Sequence, residues 1–145
     1  MKKDKRLSRC TALQMLYSSE ISDNCPSDSL DFISNHFKEE TYTKNVKNYS
    51  LLLVQVTQKN MIYLDELICN KSKNWEISRI AIIDNIILRM AIAEMLFIEN
   101  TPLKVSIAEA IEIAKIFSTN DSGRFVNGIL DAIYHDIIKG KMVVK

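Results

Sequence analysis

Residues 80–98, with the sequence IAIIDNIILRMAIAEMLFI, form the most apolar stretch of the chain and decide its fold. The stretch is apolar on nearly every side, a pattern typical of a helix at the centre of a helical bundle. Asp84, Arg89 and Glu94 occur within it, and a membrane span tolerates such charges poorly. We therefore expect a buried core helix from about Ile77 to Ile98.

The charged side chains of this helix need partners. Together with Arg79 they recur every five residues, so they point in different directions around the helix. Because a buried charge without a partner is costly, we expect Arg89 and Glu94 each to pair with a neighbouring helix. Asp84 has two interpretations from the sequence: it pairs internally, or it reaches another molecule.

The sequence before the core helix predicts three or four more helices. Apolar residues have helical spacing over residues 5–21, 28–40 and from Thr43 to about residue 69. The last of these segments is long enough for two helices, and the sequence does not place the break. The residues expected to face inward in the first and last segments are Cys10, Leu13, Leu16, Tyr17, Val46, Tyr49, Leu53, Val56, Ile62 and Leu67. Residues 70–74 are polar, and we expect them to form a loop.

The sequence after the core helix predicts two helices. Thr101-Pro102 restarts the chain, and apolar residues from Ile107 to Phe117 have amphipathic spacing. On that helix Glu109, Glu112 and Lys115 are expected to face outward. Residues 118–123 are expected to be a loop whose Asp121 or Ser122 caps the last helix, and Gly140 is expected to end that helix.

The totals fit one globular domain over residues 1–145. Hydrophobic residues make up 47% and charged residues 26% of the chain, a balance typical of a folded protein. Gly appears three times and Pro twice, which favours an all-α fold of long helices over a sandwich or barrel. We expect an N-terminal helical half at about 5–70 and a C-terminal half at about 76–139.

The sequence offers little for catalysis or metal binding. His36 and His135 each lack a second ligand at metal spacing, and no phosphate-binding loop or nucleophile motif occurs. Three widely spaced cysteines without a C-x-x-C pair suggest reduced thiols in the cytoplasm, and the N-terminus lacks the apolar run of a signal peptide. We expect a binding protein without catalytic residues, cofactor, metal or membrane contact.

The N-terminus is basic. Residues 1–9 carry a net charge of +4, whereas the remainder carries −3. On a helix, Lys2, Lys5, Arg6 and Arg9 form one stripe. We expect the first two turns to project into solvent, because Arg6 and Arg9 would otherwise be buried. Such a stripe fits a phosphate backbone, although a solvated end that only keeps the protein soluble has the same composition.

Five segments of the chain together carry a family resemblance: RCTALQMLY at 9–17, WEISR at 75–79, DNIILRMAIAE at 84–94, TPLKVSIAEAIEIAK at 101–115 and FVNGILD at 125–131. They resemble the NusB family of bacterial transcription antitermination factors. Their order and spacing agree with the family over roughly residues 5–135. The resemblance implies about seven helices in two packed three-helix bundles.

The resemblance also implies a function. Members of the family pair with the ribosomal protein NusE and bind boxA RNA, which indirectly supports the RNA polymerase elongation complex on ribosomal RNA operons. Carried over to this chain, the partner surface includes Tyr17 and Asp84. The RNA surface comprises Lys5, Arg6, Arg9, Asp121, Arg124 and Phe125, with Lys2 and Lys3 as further basic candidates.

Some assignments stay open at this stage. Leu7 stands at a position that is often basic in the family, and Ala108 replaces a common Asn, so RNA affinity and one hydrogen bond are in doubt. Phe125 could instead be core, Tyr17 an ordinary surface aromatic, and Asn127-Gly128 a device for close helix packing. A helical scaffold that binds only protein is the alternative function, and homodimerisation of the free protein is undecided.

Overall fold

The computed structural model describes residues 2–22, 42–72 and 80–142, with the side chains of residues 2 and 3 excluded. These residues form six helices and no strand, so the all-α prediction is confirmed for this part of the chain. The helices are α1 Lys2–Ser22, α2 Lys44–Lys59, α3 Met61–Lys71, α4 Ile82–Phe97, α5 Leu103–Phe117 and α6 Asn120–Ile138. The helix predicted at 28–40 lies outside the described residues.

The chain divides into two compact units, Met1–Gln55 and Val56–Lys145. This division falls within α2, whereas the sequence placed the boundary between helical halves at residues 70–74. The compact units do not test the predicted helical halves, about 5–70 and 76–139, which are a different division of the chain. These halves therefore remain a prediction.

In the first unit, two serines join α1 to α2. Ser8 Oγ donates to the carbonyl oxygen of Val46 across 3.0 Å, and Ser50 Oγ donates to the carbonyl oxygen of Ser8 across 3.2 Å. Small side chains let the two helices approach closely, and these bonds satisfy the buried hydroxyls. The core beside them is formed by Ala12, Leu13, Met15, Leu16, Val46 and Leu53.

The buried side of α1 is rotated from the predicted one. Leu13 and Leu16 are buried as expected, but Cys10 is only half-buried and Tyr17 is 40% exposed. Thr11 and Met15 are fully buried instead. Because Thr11 is polar, the apolar spacing of the sequence did not indicate this side of α1. Its hydroxyl donates to the carbonyl of Leu7 at 2.8 Å, and this hydrogen bond lowers the cost of burying it.

The long segment from Thr43 is two helices, α2 and α3, which break at Asn60. Because the break resets the helical register, the predicted inward position of Ile62 was wrong: its side chain is 80% exposed. Leu64 and Ile68 supply the buried side of α3.

In the second unit, α4 is the core helix that the sequence predicted. Every residue from Asp84 to Leu96 is buried. The helix begins later than expected, because Ile80 and Ala81 are not helical and Ala81 is extended with ψ 140°. Helices α5 and α6 pack against α4 and against each other. No helix of the described part has the length and hydropathy needed to cross a bilayer.

Polar bonds tie the neighbouring helices to α4. Arg89 donates from Nε and Nη2 to both carboxylate oxygens of Asp65 in α3, at 2.7 and 3.1 Å. Glu94 accepts from the hydroxyl of Ser106 in α5 at 2.6 Å. The expected interhelical contacts of Arg89 and Glu94 are therefore confirmed: Arg89 bonds to a carboxylate and Glu94 accepts from a hydroxyl. Arg79 lies outside the described residues.

One prediction about α5 was wrong. Glu109 was expected to face outward but is 2% exposed. It lies on the side of α5 that carries the buried Ser106 and Ile113, at i−3 and i+4. Glu112 and Lys115 are exposed as predicted.

The far end of α6 is held by an ion pair. Lys71, at the end of α3, pairs with Asp136. The hydrogen bond from Lys71 holds the pKa of Asp136 below its ordinary value of 3.8, and the charges of Lys71, Lys141 and Lys139 act in the same direction. The helix ends at Ile138, and Gly140 follows with φ 75°, as the sequence predicted.

Candidate functional site

The start of α6 is held by hydrogen bonds between the hydroxyl groups of Ser118, Thr119 and Ser122. Thr119 is the N-cap, and its Oγ1 accepts from the backbone N–H of Ser122 at 3.1 Å. The prediction of a cap at Asp121 or Ser122 was wrong, because the helix already begins at Asn120 and both residues lie in its first turn. The expected loop over 118–123 is correspondingly short. Gly123 lies inside the helix.

Ser122 joins this helix to the core helix. Its Oγ lies 2.8 Å from that of Ser118 and donates to Oδ2 of Asp84 across 2.9 Å. Asp84 is in the first turn of α4 and is 7% exposed. Its other oxygen, Oδ1, has no hydrogen-bond partner within the described residues. The carboxylate thus has an internal bond and one oxygen left over.

A small cavity adjoins this carboxylate. Its volume is about 210 Å³, and it is lined by Ile80, Ala81, Asp84, Thr119, Asp121, Ser122 and Phe125. We call it the Asp84 cavity. Its only formal charges among these lining residues are two carboxylates, so the cavity attracts cations and hydrogen-bond donors and repels phosphate.

A second hollow has the opposite character. It is an open groove of about 440 Å³ lined by Ile111, Lys115, Asn120, Gly123, Arg124 and Asn127. We call it the Lys115 groove. It carries two cations and two side-chain amides from the facing sides of α5 and α6.

The residues that the resemblance assigned to RNA at this end are divided between the two hollows. Asp121 and Phe125 line the Asp84 cavity, whereas Arg124 lines the Lys115 groove. Asp121 and Arg124 are 92% and 85% exposed, and their 3.8 Å ion pair is loose. Phe125 is half-buried, which leaves both of its interpretations standing.

The basic stripe of α1 is less exposed than expected, most of all at Arg9. Arg9 is 4% exposed, so the prediction that it projects into solvent was wrong. It interacts with its surroundings, as a buried guanidinium must if its desolvation is to be tolerated. Lys5 and Arg6 are half-buried, and Lys5 Nζ lies 5.2 Å from the ring centre of Tyr49. The side chains of Lys2 and Lys3 lie outside the described residues.

The remaining candidates are placed as follows. Tyr17, assigned to the partner surface, is exposed in the first unit. Asn127 and Gly128 are exposed, and a Cβ added at Gly128 would meet nothing within 4 Å. Within the described part of the chain, Gly128 therefore does not serve close helix packing. Cys69 is an exposed free thiol, and Cys25 and His36 lie outside the described residues.

No group of three or more potential metal ligands occurs among the described residues.

The sequence missed the groove. Lys115 was correctly placed on the outer side of α5, but nothing local indicates that it faces Arg124 and Asn127 of the next helix. The spacing of Asn120, Arg124 and Asn127 at i, i+4 and i+7 along one side of α6 was the available signal.

Comparison with known proteins gives one consistent result. The profile of the NusB family matches residues 6–135 of this chain. The transcription antitermination protein NusB of Syntrophus aciditrophicus (strain SB) is 36% identical over 94% of this chain and 83% of its own length. The NusB structure of T. maritima is 34% identical, with a TM-score of 0.76 over 92% of this chain and 89% of that one.

A further solved structure contains antitermination factors NusB and NusE in complex with double-stranded RNA. It matches with a TM-score of 0.78 over 93% of this chain and 98% of that one, at 23% identity. At that identity the likeness shows the fold alone.

Proposed function

The chain belongs to the NusB family, and from that premise we propose that it is a transcription antitermination factor. It binds boxA-type RNA together with the ribosomal protein NusE and thereby supports elongation through ribosomal RNA operons. The observation that carries this proposal is the family match over residues 6–135. The complex of a structural neighbour with NusE and RNA supports it.

The proposal assigns binding and no reaction to this chain. It acts in the cytoplasm as a non-enzymatic protein without a cofactor, and it affects the RNA polymerase elongation complex only indirectly. The finer arrangement, about seven helices in two packed three-helix bundles, belongs to the same proposal.

Two groups of residues carry the two contacts. RNA binding uses the half-buried Lys5 and Arg6, together with Lys2 and Lys3, and the start of α6. Arg9 supports the RNA surface from within the fold, since it is buried. NusE binding uses Tyr17 and Asp84. The loose pair between Arg124 and Asp121 supports a role in RNA binding, because a guanidinium held so weakly is ready for a phosphate.

A gel-shift titration with boxA RNA, with and without NusE, tests this function. The expected result is a salt-dependent complex that tightens when NusE is present and weakens when the RNA sequence is scrambled. Binding of NusE without any RNA binding at low salt would instead support the protein-only scaffold. Absence of both complexes would refute the function.

A further inference from the structure

The Lys115 groove concentrates hydrogen-bond donors in one place. Lys115 and Arg124 supply charged donors, and the amides of Asn120 and Asn127 supply neutral ones. Asn120 is the first residue of α6, where backbone N–H groups have no acceptor within the helix and the helix dipole favours anions. The lining contains no carboxylate.

The ion pairs that Lys115 and Arg124 make within their own helices are weak. Lys115 Nζ lies 3.6 Å from Glu112, and Arg124 Nη1 lies 3.8 Å from Asp121. Charge-assisted hydrogen bonds have lengths of about 2.7–2.9 Å, so both pairs are loose. All four side chains are also 47% exposed or more, and such pairs contribute little to stability. Both cations can therefore turn to an incoming anion at small cost.

Packing sets the position of one of these cations. A Cβ added at Gly123 would lie 3.4 Å from Cγ and 3.6 Å from Cε of Lys115, so the stem of this lysine runs across the glycine. The stem is thus supported along its length while its ammonium remains at the groove. Restricting the stem before binding lowers the entropy that an anion contact costs.

Asn127-Gly128 makes no close helix contact at Gly128 among the described residues. Both residues are exposed, and Gly128 leaves open space where a Cβ would be. Asn127 turns one amide into the groove wall. An open surface beside Asn127 allows an extended ligand to leave the groove without a clash.

We propose that the Lys115 groove binds a phosphate group of the RNA backbone, with Lys115, Arg124 and Asn127 as its donors. This inference rests on the proposed function and adds Lys115 and Asn127 to the RNA surface. The phosphate then lies on the groove side of α6 with Arg124, whereas the buried carboxylate of Asp84 lines the other cavity. Asp121 also lines that cavity, but its carboxylate stays 3.8 Å from Arg124.

The test compares two lysines of the same helix in the full-length protein. Lys115→Gln removes a charge from the groove, and Lys104→Gln removes one whose Nζ lies 6.0 Å from the ring centre of Tyr134. Affinity for the boxA RNA is measured across roughly 0.05–0.2 M salt. Loss of one phosphate contact lowers the log–log slope by about 0.7, so the deficit of Lys115→Gln is about 2- to 3-fold larger at the low-salt end. Lys104→Gln keeps the wild-type slope.

A second measurement locates the phosphate. RNAs that carry one neutral methylphosphonate at successive positions are bound to wild type and to Lys115→Gln. At one position the neutral group weakens wild-type binding and leaves the variant unaffected. Asn127→Asp, which places a negative charge in the groove at nearly constant shape, weakens binding at least as much as Lys115→Gln. Thermal unfolding of each variant shows that the fold is intact.

The outcomes separate this inference from the function on which it rests. If wild type binds RNA but Lys115→Gln and Lys104→Gln have equal slopes, the groove assignment is wrong and the function stands. If wild type binds no RNA, both are wrong. Inorganic phosphate provides the third arm: if it shifts the Asn127 amide signals at saturation without weakening RNA binding, the groove takes free phosphate and not RNA.

Discussion

Ser122, in the first turn of α6, donates its hydroxyl to Oδ2 of Asp84, in the first turn of α4, across 2.9 Å. The two residues are 38 positions apart in sequence. This bond holds the starts of two helices together and gives a buried carboxylate its internal partner. It also decides what substitutions at either residue should do.

Ser122→Ala removes the donor and leaves the charge of Asp84 in place. A buried acceptor that loses its partner costs about 1–3 kcal/mol, so the free energy of unfolding should fall by that amount in denaturant titrations. Unfolding of the Ser122→Ala protein at the wild-type midpoint would show that the bond adds no stability.

Asp84→Asn separates internal packing from partner binding. An Asn side chain can still accept from Ser122, and loss of a buried charge lowers the desolvation cost, so the melting temperature should stay nearly unchanged. If Asp84 also reaches a cation on NusE, affinity for NusE falls. Calorimetric titration with NusE and thermal unfolding are both needed: reduced stability with normal NusE binding would leave Asp84 with a purely internal role.

Thr119 is expected to control the stability of α6. Thr119→Ala removes the oxygen that accepts from the Ser122 N–H, and loss of such a cap costs about 1 kcal/mol, within a range of about 0.5–2. Thr119→Ser keeps the oxygen and serves as the matched control. Equal melting temperatures for the Ala and Ser variants would contradict the capping role.

Asp121 is expected to limit RNA affinity without stabilising a cap. Because the cap is Thr119, Asp121→Asn should lose only the helix-dipole contribution of an exposed carboxylate, about 0.3 kcal/mol. Removal of its negative charge beside Arg124 should tighten RNA binding, more strongly at low salt, where screening is weak. Weaker binding by a fully stable Asn variant would mean that Asp121 makes a favourable RNA contact.

The α1 stripe should divide into RNA contacts and a structural residue. The double variant Lys5→Gln/Arg6→Gln should lower the log–log salt slope of RNA binding by about 1.4 if each side chain contacts one phosphate. Its stability should change little. Lys44→Gln/Lys59→Gln, which removes two exposed charges of α2, is the control and should leave the slope unchanged.

Arg9→Ala should act on stability instead. Its side chain is buried and interacts with its surroundings, so we expect its removal to cost about 1–3 kcal/mol. Wild-type stability together with a lower log–log salt slope of RNA binding would show that Arg9 contacts RNA.

The carboxylate of Asp136 makes the free energy of unfolding depend on pH below neutral pH. Its pKa in the folded state is lowered by the hydrogen bond from Lys71, so the contribution is present above the unfolded-state pKa and is lost as pH falls through the folded-state value. Asp136→Asn should therefore flatten the fall in unfolding free energy that begins near pH 3.8 and continues below it. Asp131→Asn, on the same helix, is the control. Parallel curves for wild type and Asp136→Asn would show that the ion pair adds nothing.

The sequence determined the helices and the family. Residues 80–98 predicted the core helix, because a helix that is apolar on nearly every side needs no knowledge of its neighbours to be placed at the centre. The segments at 9–17, 84–94, 101–115 and 125–131 indicated the family by their residues and order. Both are read directly from the linear sequence, without knowledge of the tertiary structure. Gly140 marked the end of α6 because its backbone conformation is open to few other residues.

Only the tertiary structure decided which polar residues are buried and what they face. Arg9 and Glu109 are charged, so local pattern placed them in solvent, yet both are buried because their helix sides face other helices. The bond between Ser122 and Asp84 and the groove formed by Lys115, Arg124 and Asn127 each join residues from different helices. Helical periodicity reports which residues share a side of one helix. It does not report which residues of another helix pack against that side. A buried polar group is tolerated only where those residues supply a hydrogen-bond partner, so its burial depends on the tertiary structure.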